Sequence, residues 1–484
     1  MLLWIIIAIV AIFLGTIIIR ALNFNPQKKP QCKVGEAEVN ADQTAEHLAQ
    51  MIRCKTVSLP DPSITDPSEF NKLNTEFEKF RALLIQLYPT LHRVCQPERI
   101  GPTGLLYKLK GKSNAEPKVL MSHYDVVPAD EAAWEKPPFA GVIENGILWG
   151  RGTLDTKNTL CSIMEAAEQL AARGFTPEND LYLAFCGDEE TTGRSAREMV
   201  EKFLQRGVKP AMVLDEGGAV VKDIFPGVKD PCALVGIAEK GLLDIELSAE
   251  SSGGHASAPP PHTPIGRLAK AVTRIEARPF RSRLTAPVAQ MFDILGRRSP
   301  FIYKLIFANL WCFKPVLDAI CRKNGGELNA MIRTTCAFTM MEGSRATNVI
   351  PVTAKIRANL RLIGSETTDS AIAYLKSAAK DPQIKFRMVQ GNNPSIYSKT
   401  SGHGWDILNN AIGQTWPQAV AAPYLMMACS DSRFYCRISD RVYRFSAAFL
   451  SKEERALIHG NNERIPVETL AKTAQFYLRL MEQC

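Results

Sequence analysis

The stretch Asp180-Leu181-Tyr182-Leu183-Ala184-Phe185-Cys186 runs straight into Asp188-Glu189-Glu190. Its length, its apolar character and the acidic cluster at its end read as a buried strand that delivers carboxylates to the edge of a sheet. Two further runs repeat the design. Lys118-Val119-Leu120-Met121 ends in His123 and Asp125, and Ala211-Met212-Val213-Leu214 ends in Asp215 and Glu216 before Gly217-Gly218. Helical patterns lie between the runs. One, from Asn158 to Arg173, carries apolar residues at Leu160, Ile163, Met164, Ala167 and Leu170 and stops at Gly174; another covers Ala196 to Arg206 and stops at Gly207. Alternating strands and helices predict an α/β fold with a mostly parallel sheet covered on both faces. Ligands bind such sheets beyond the carboxyl ends of the strands, which is where these three polar patches fall.

Two more patches sit in loop-like stretches: Gly150-Arg151-Gly152-Thr153-Leu154-Asp155 and His459-Gly460-Asn461-Asn462-Glu463. A lone histidine is more often packed or solvated than ligating, and a lone Glu-Glu pair is more often a solvated face. Taken together, however, two histidines and several carboxylates have the composition of a two-metal hydrolytic site, with one carboxylate able to bridge the ions.

These motifs resemble the aminoacylase/carboxypeptidase family of dizinc amidohydrolases. The matching patterns are His-x-Asp from His123, Gly-Arg-Gly-x-x-Asp-x-Lys from Gly150 and Asp188-Glu189-Glu190. Asp215-Glu216-Gly217, Ser-Gly-Gly-His-x-Ser from Ser252 and His-Gly-x-Asn-Glu from His459 complete them. They extend from about residue 120 to 465, nearly the whole chain beyond its N-terminus. Val126-Val127-Pro128, Trp134, Glu239-Lys240-Gly241, Asn348-Val349-Ile350-Pro351 and Ser430-Asp431-Ser432-Arg433-Phe434 are most similar to the carboxypeptidase S and N-fatty-acyl-amino-acid synthase/hydrolase branch.

The resemblance implies two zinc ions, with cobalt or manganese as alternatives. Asp155 would bridge them. Glu190 and His459 would complete one ion; His123 and a member of the Asp215-Glu216 pair would complete the other, Asp215 being favoured. Glu189 would be the general base, since it neighbours a ligand and is free to take a proton. Asp125, two residues beyond His123, would share its face of the strand and orient the imidazole. His255 would enter the active site from a smaller domain, often a partner subunit's, to stabilise the oxyanion. Arg433 and Asn348 would grip a substrate carboxylate, a task the arginine fork suits.

From Gly241 the pattern changes to strand (Leu242 to Ala249), helix (Ile265 to Ala277), two strands (Thr334 to Met341, Val352 to Leu362), helix (Thr368 to Lys380) and strand (Ile384 to Val389). That βαββαβ order predicts a ferredoxin-like α+β domain, a lid or dimerisation unit over residues 241–391. It is inserted between catalytic segments 30–240 and 392–484.

The chain has 484 residues, 46% of them apolar and 22% charged, which suits two globular domains. Its twelve cysteines include no Cys-x-x-Cys, so neither a zinc ribbon nor a small disulfide scaffold is indicated. Leu2 to Ile19 is apolar and long enough for a bilayer span, lacks a basic leader and a small-residue cleavage site, and reads as a retained membrane anchor. A removed signal peptide, hence secretion, is the alternative. Arg20, Lys28 and Lys29 would place the remainder in the cytoplasm by the positive-inside rule, whereas the resembling branch works in secretory or vacuolar space; the side stays open.

Residues 278–323 hold nine Lys or Arg and two acids, a net +7 out of the chain's +8. So local a charge argues against nucleic acid as a partner. Phe301, Tyr303, Trp311 and Phe313 lie in the same segment, which is expected either to rest on a membrane surface or to wall an acyl-chain site. The whole predicts a membrane-anchored hydrolase of peptides or N-acyl amino acids with a free carboxylate, homodimerising through the lid. A dipeptidase or simple aminoacylase is the nearer alternative. A non-catalytic membrane-held binding module is the more distant one, disfavoured because the ligands and base are all present.

Overall fold

The computed structural model describes residues 1–26, 37–58 and 67–484; Lys28 and Lys29, on which the orientation reading partly rested, lie outside them. The larger sheet has eight strands, in the order 98–100, 104–109, 179–186, 113–123, 212–221, 442–449, 232–239 and 420–426. Its centre is parallel: Ser113–His123 pairs with both Asn179–Cys186 and Met212–Val221, and the latter also with Val442–Phe449. Antiparallel pairs appear where 104–109 meets 179–186 and where 442–449 meets 232–239. The sheet is therefore mixed, with a parallel core.

Helices Lys157–Ala172 and Val467–Glu482 pack on each other and, through Leu160, Ile163, Met164, Phe476 and Leu480, enter the main hydrophobic core. Helix Arg194–Gln205 belongs to a second cluster, with Val119, Met121, Tyr182 and Ala184. Neighbouring residues of the Ser113–His123 strand thus face different clusters (Leu120 the first, Val119 and Met121 the second), as a strand covered on both faces requires.

One strand runs past its expected end. Gly217-Gly218 reads as a stop, yet the strand continues from Met212 to Val221. These glycines serve close approach instead. A Cβ on Gly218 would collide with the Leu234 carbonyl oxygen, and one on Gly217 would lie 2.6 Å from Met426 Sδ. The register against 442–449 slips here, Asp215 facing Arg444 and Gly218 facing Phe445, so Glu216 and Gly217 form a bulge.

A second, four-stranded antiparallel sheet has the order 335–342, 353–362, 241–250, 385–392. Helices Pro264–Glu276 and Thr368–Ala379 cover it, burying Leu268, Ala271 and Leu375 against Leu243, Ile245 and Leu360. Between its first helix and its second strand come four helices, Ala286–Gly296, Phe301–Phe307, Leu310–Asn324 and Gly326–Ile332.

Among the described residues one helix, Leu2–Asn23, is long and apolar enough to cross a membrane. Its C-terminal end packs against the insert: Arg20 donates to Ala308 O at 3.0 and 3.1 Å, Asn309 Nδ2 donates to Ile17 O at 3.1 Å, and Phe13 meets Trp311 edge-on. The eleven cysteines among the described residues are free thiols.

Candidate metal centre

Three adjacent strands bring their polar residues to one place. His123 is the last residue of its strand and faces Cys186 in the next. Two residues beyond Cys186 begin Asp188-Glu189-Glu190, and on the other side Leu120 faces Leu214, just before Asp215-Glu216. Parallel pairing in this register puts all three polar ends at a common edge.

Asp155 joins them. Its Oδ1 lies 3.0 Å from His123 Nε2, and its Oδ2 lies 2.9 Å from His459 Nε2. His459 Nε2 is also 3.1 Å from Glu190 Oε1, and His123 Nε2 is 3.5 Å from Glu216 Oε1. Two groups result, each with donor atoms within 4.8 Å of one another: His123, Asp155 and Glu216, and Asp155, Glu190 and His459. The donors are one imidazole and two carboxylates per group, with one carboxylate common to both, a set that suits a pair of divalent cations.

Of the Asp215-Glu216 pair, Glu216 is the member that joins a group; Asp215 lies in neither, and its Oδ2 accepts the Ser432 backbone N–H at 3.0 Å. Neighbouring strand residues point to opposite faces, and the bulge at Glu216 and Gly217 aims Glu216 at His123. Asp125 touches His123 and has a further task. The strand ends at His123, so strict alternation no longer applies, and the imidazole Nδ1 lies closer to the Asp125 backbone O (3.0 Å) than to its Oδ1 (3.4 Å). The Asp125 carboxylate also accepts the Glu189 and Glu190 backbone N–H groups, at 3.3 and 3.2 Å, and the Ser58 hydroxyl at 3.0 Å. It holds the turn that carries the candidate base.

Glu189 makes no side-chain hydrogen bond among the described residues. Burial, reinforced by the carboxylates of Glu216, Asp431 and Glu190 and opposed by His123, pushes its carboxyl well above the usual range. Burial pushes Glu216 up to about 8 against His123. Burial also acts to raise Asp155, but hydrogen bonds from His123 and His459 outweigh it and hold that carboxylate well below its usual range. Burial opposes protonation of His123, yet Glu216, Asp125 and Asp155 raise it well above an ordinary imidazole. Hydrogen bonds to Asp155 and Glu190 push His459 up to about 10. In the metal-free form this last interaction therefore supports the fold fully below the ordinary imidazole value near 6.5 and is lost as pH rises through about 10. A cation must displace that proton, so metal affinity falls as pH falls.

The loop presenting Asp155 is fixed by a residue without an assigned role in the sequence reading. Glu463 is fully buried and accepts from the backbone N–H groups of Gly152 (3.0 Å), Leu154 (2.7 Å) and Asp155 (3.2 Å), and from Arg151 Nη1 at 2.8 Å. Removing one partner of such a buried pair costs about 3–5 kcal/mol. Glu239 does the same for the 430–433 turn: it accepts from Arg444 Nε at 2.7 Å and from Ser430 and Ser432 Oγ at 3.0 and 3.1 Å. The signal available in the sequence was an acid inside a motif with no ligand task left to perform.

Arg433 is half-buried beside Gly193, three residues past Glu190. It donates to Ser430 O at 3.2 Å and makes no ion pair within 4 Å among the described residues. His255 and Asn348 are brought together but not to the metal groups. They lie on an exposed two-stranded ribbon, 254–255 against 349–350, where Ala256 N–H donates to Asn348 O and His255 Nδ1 bonds Ser257. A third buried group, Cys186, Asp188 and Asp431, was not read from the sequence. Asp188 Oδ2 accepts the Ser195 N–H at the start of helix 194–205.

Comparison with known proteins identifies the family and related folds. The family model described as Peptidase family M20/M25/M40 matches residues 119–483. The chain is 35% identical to an N-fatty-acyl-amino acid synthase/hydrolase of Xenopus tropicalis over 92% of this chain and 86% of that one. It is 32% identical to a carboxypeptidase S-like protein of Dictyostelium discoideum over 90% and 84%. Its fold is similar to the crystal structure of an M20 family metallo-carboxypeptidase from Sulfolobus solfataricus, with a TM-score of 0.64, 16% identity, and coverage of 91% of this chain and 98% of that one.

Proposed function

The chain belongs to peptidase family M20/M25/M40, and from that membership we propose a dizinc hydrolase that cleaves the amide joining an acyl group to an amino acid with a free carboxylate. The substrates are N-fatty-acyl amino acids or peptides at their C-terminus. The observation that carries the reading is Asp155, whose two oxygens face two different histidines at 3.0 and 2.9 Å. Asp155, Glu190 and His459 would hold one ion, and Asp155, His123 and Glu216 the other, with zinc favoured by the mixed nitrogen and oxygen donors and cobalt or manganese as substitutes. Ions held by these residues would supply an acidified water and polarisation of the scissile carbonyl.

The remaining tasks fall to the chain. Glu189 takes the water's proton and returns it to the leaving amine. Asp125 keeps Glu189 in place through the backbone. Arg433, which makes no ion pair within 4 Å among the described residues, receives the carboxylate of the substrate. The second sheet, residues 241–391, acts as a lid over catalytic segments 30–240 and 392–484. Its ribbon brings His255 and Asn348 to the substrate, on closure or from a partner subunit. Purified protein should hydrolyse an N-fatty-acyl amino acid and be about 10- to 100-fold slower in kcat/KM on the same compound with its carboxylate amidated, a charged hydrogen bond being worth about 1.5–3 kcal/mol. Equal rates on both would remove the carboxylate from recognition, and cleavage of dipeptides alone would make it a dipeptidase.

Leu2–Asn23 would anchor the protein in a membrane, its 22 residues spanning about 33 Å. The insert would rest on the same surface. Support comes from its exposed Phe301, Ile302, Trp311 and Val316 and from the docking of that helix on Ala308, Asn309 and Trp311. In reconstituted full-length protein, a spin label at Ile302 should be more accessible to oxygen than to a water-soluble nickel complex. A label at Leu204, exposed on a distant helix, should show the reverse. Equal water access at both would lift the insert off the membrane.

A further inference from the structure

The loops that carry the candidate ligands also line a pocket. Leu154 precedes Asp155, Ile458 precedes His459 and Gly217 follows Glu216, and all three line one concavity of about 240 Å³. Its other apolar walls include Ala219, Val221, Leu234, Ala448 and Leu450, from three neighbouring strands and the turn after one of them. Of its polar members, Ser446 Oγ accepts the Gly217 N–H at 2.9 Å and Asn158 Oδ1 accepts from Thr156, while Arg455 Nη1 lies 3.5 Å from Glu327 and its Nε is buried without a partner among the described residues. The fourth, Tyr424, is held neutral, since burial pushes its phenol above the usual range. What the pocket offers an occupant is mainly hydrocarbon.

Resting on the hydrolase reading above, we infer that this pocket receives the acyl chain of the substrate and sets its preferred length. The strand order gives the direction. The pocket's strands, 212–221, 442–449 and 232–239, lie on one side of the His123 strand, whereas Glu189, Glu190 and the Gly193 neighbour of Arg433 follow the strand on the other side. A carboxylate at Arg433 and an amide at the Asp155 groups therefore leave the acyl chain to enter between Leu154 and Ile458. An engineered apolar cavity of about 150 Å³ holds benzene, or about 25 Å³ per carbon, so 240 Å³ accommodates a chain of about ten carbons.

Each methylene the pocket buries should raise kcat/KM about two- to fourfold. The test is a series on one amino acid, from acetyl through hexanoyl and decanoyl to palmitoyl, with the wild-type full-length enzyme. The expected profile climbs to about decanoyl and then levels. Ala448→Leu adds three carbons to the wall and should move the plateau about three carbons shorter, lowering the decanoyl-to-acetyl ratio by about tenfold or more. Ala219→Leu, on a different strand, repeats the test should the first variant not fold. A flat profile from acetyl to decanoyl, or variants that scale every chain length alike, would overturn the acyl assignment. Absence of cleavage at every length would instead overturn the hydrolase reading on which it rests.

Discussion

Glu189→Gln is expected to lower kcat by about 10²–10⁴-fold, the usual contribution of a positioned general base, while the bound metal and the melting temperature stay close to those of the wild type. The separation follows from the contacts. The Glu189 side chain belongs to neither metal group. Its backbone N–H, held by Asp125 at 3.3 Å, is the same in glutamine. The carboxamide has the same shape but cannot take a proton. Burial, with three surrounding carboxylates, already favours the protonated form, so this position can retain a proton between its removal from water and its delivery to the leaving amine. Steady-state kinetics together with metal analysis of the same preparation check the result. A variant that lost its metal would mark Glu189 as a ligand, and one with full turnover would leave the chemistry without its base.

Asp155→Ala should be more damaging. Asp155 is the member common to both groups, so its loss opens both at once, leaving His123 without the partner at 3.0 Å and His459 without the one at 2.9 Å. Losing even about 4 kcal/mol of cation-derived stabilisation is a 10³-fold loss in rate, and adding excess zinc should not restore it. Asp215→Asn is the informative contrast. Asp215 serves Ser432 and lies outside both groups, so this variant should keep its metal, whereas Glu216→Gln should lose part of it. Metal content across the three variants decides between the two neighbours.

The parts of the site that were readable from the sequence are those that depend on local pattern. An apolar run followed by acids gives a strand end, and three such runs at 113–123, 179–186 and 212–221 place His123, Glu190 and the Asp215-Glu216 pair at one edge once parallel pairing is assumed. The choice within that pair was not readable, because it depends on a bulge imposed by register against 442–449, a strand more than 220 residues later. Glu463 shows the same limit. Its motif was visible, but its task of accepting three backbone N–H groups from residues about 310 positions earlier exists only in the folded chain. The exposed ribbon with His255 and Asn348 illustrates the converse: motif residues drawn together by pairing at 254–255 and 349–350, on an element separate from the ligands.

The two-cation arrangement around Asp155 is tested most directly by titrating chelator-stripped protein with zinc while counting bound metal and activity together. Binding should saturate at two equivalents per chain, with full turnover only as the second site fills, and Asp155→Ala should saturate at neither site. Full activity with a single equivalent, or with none, would contradict the shared carboxylate and the function drawn from it.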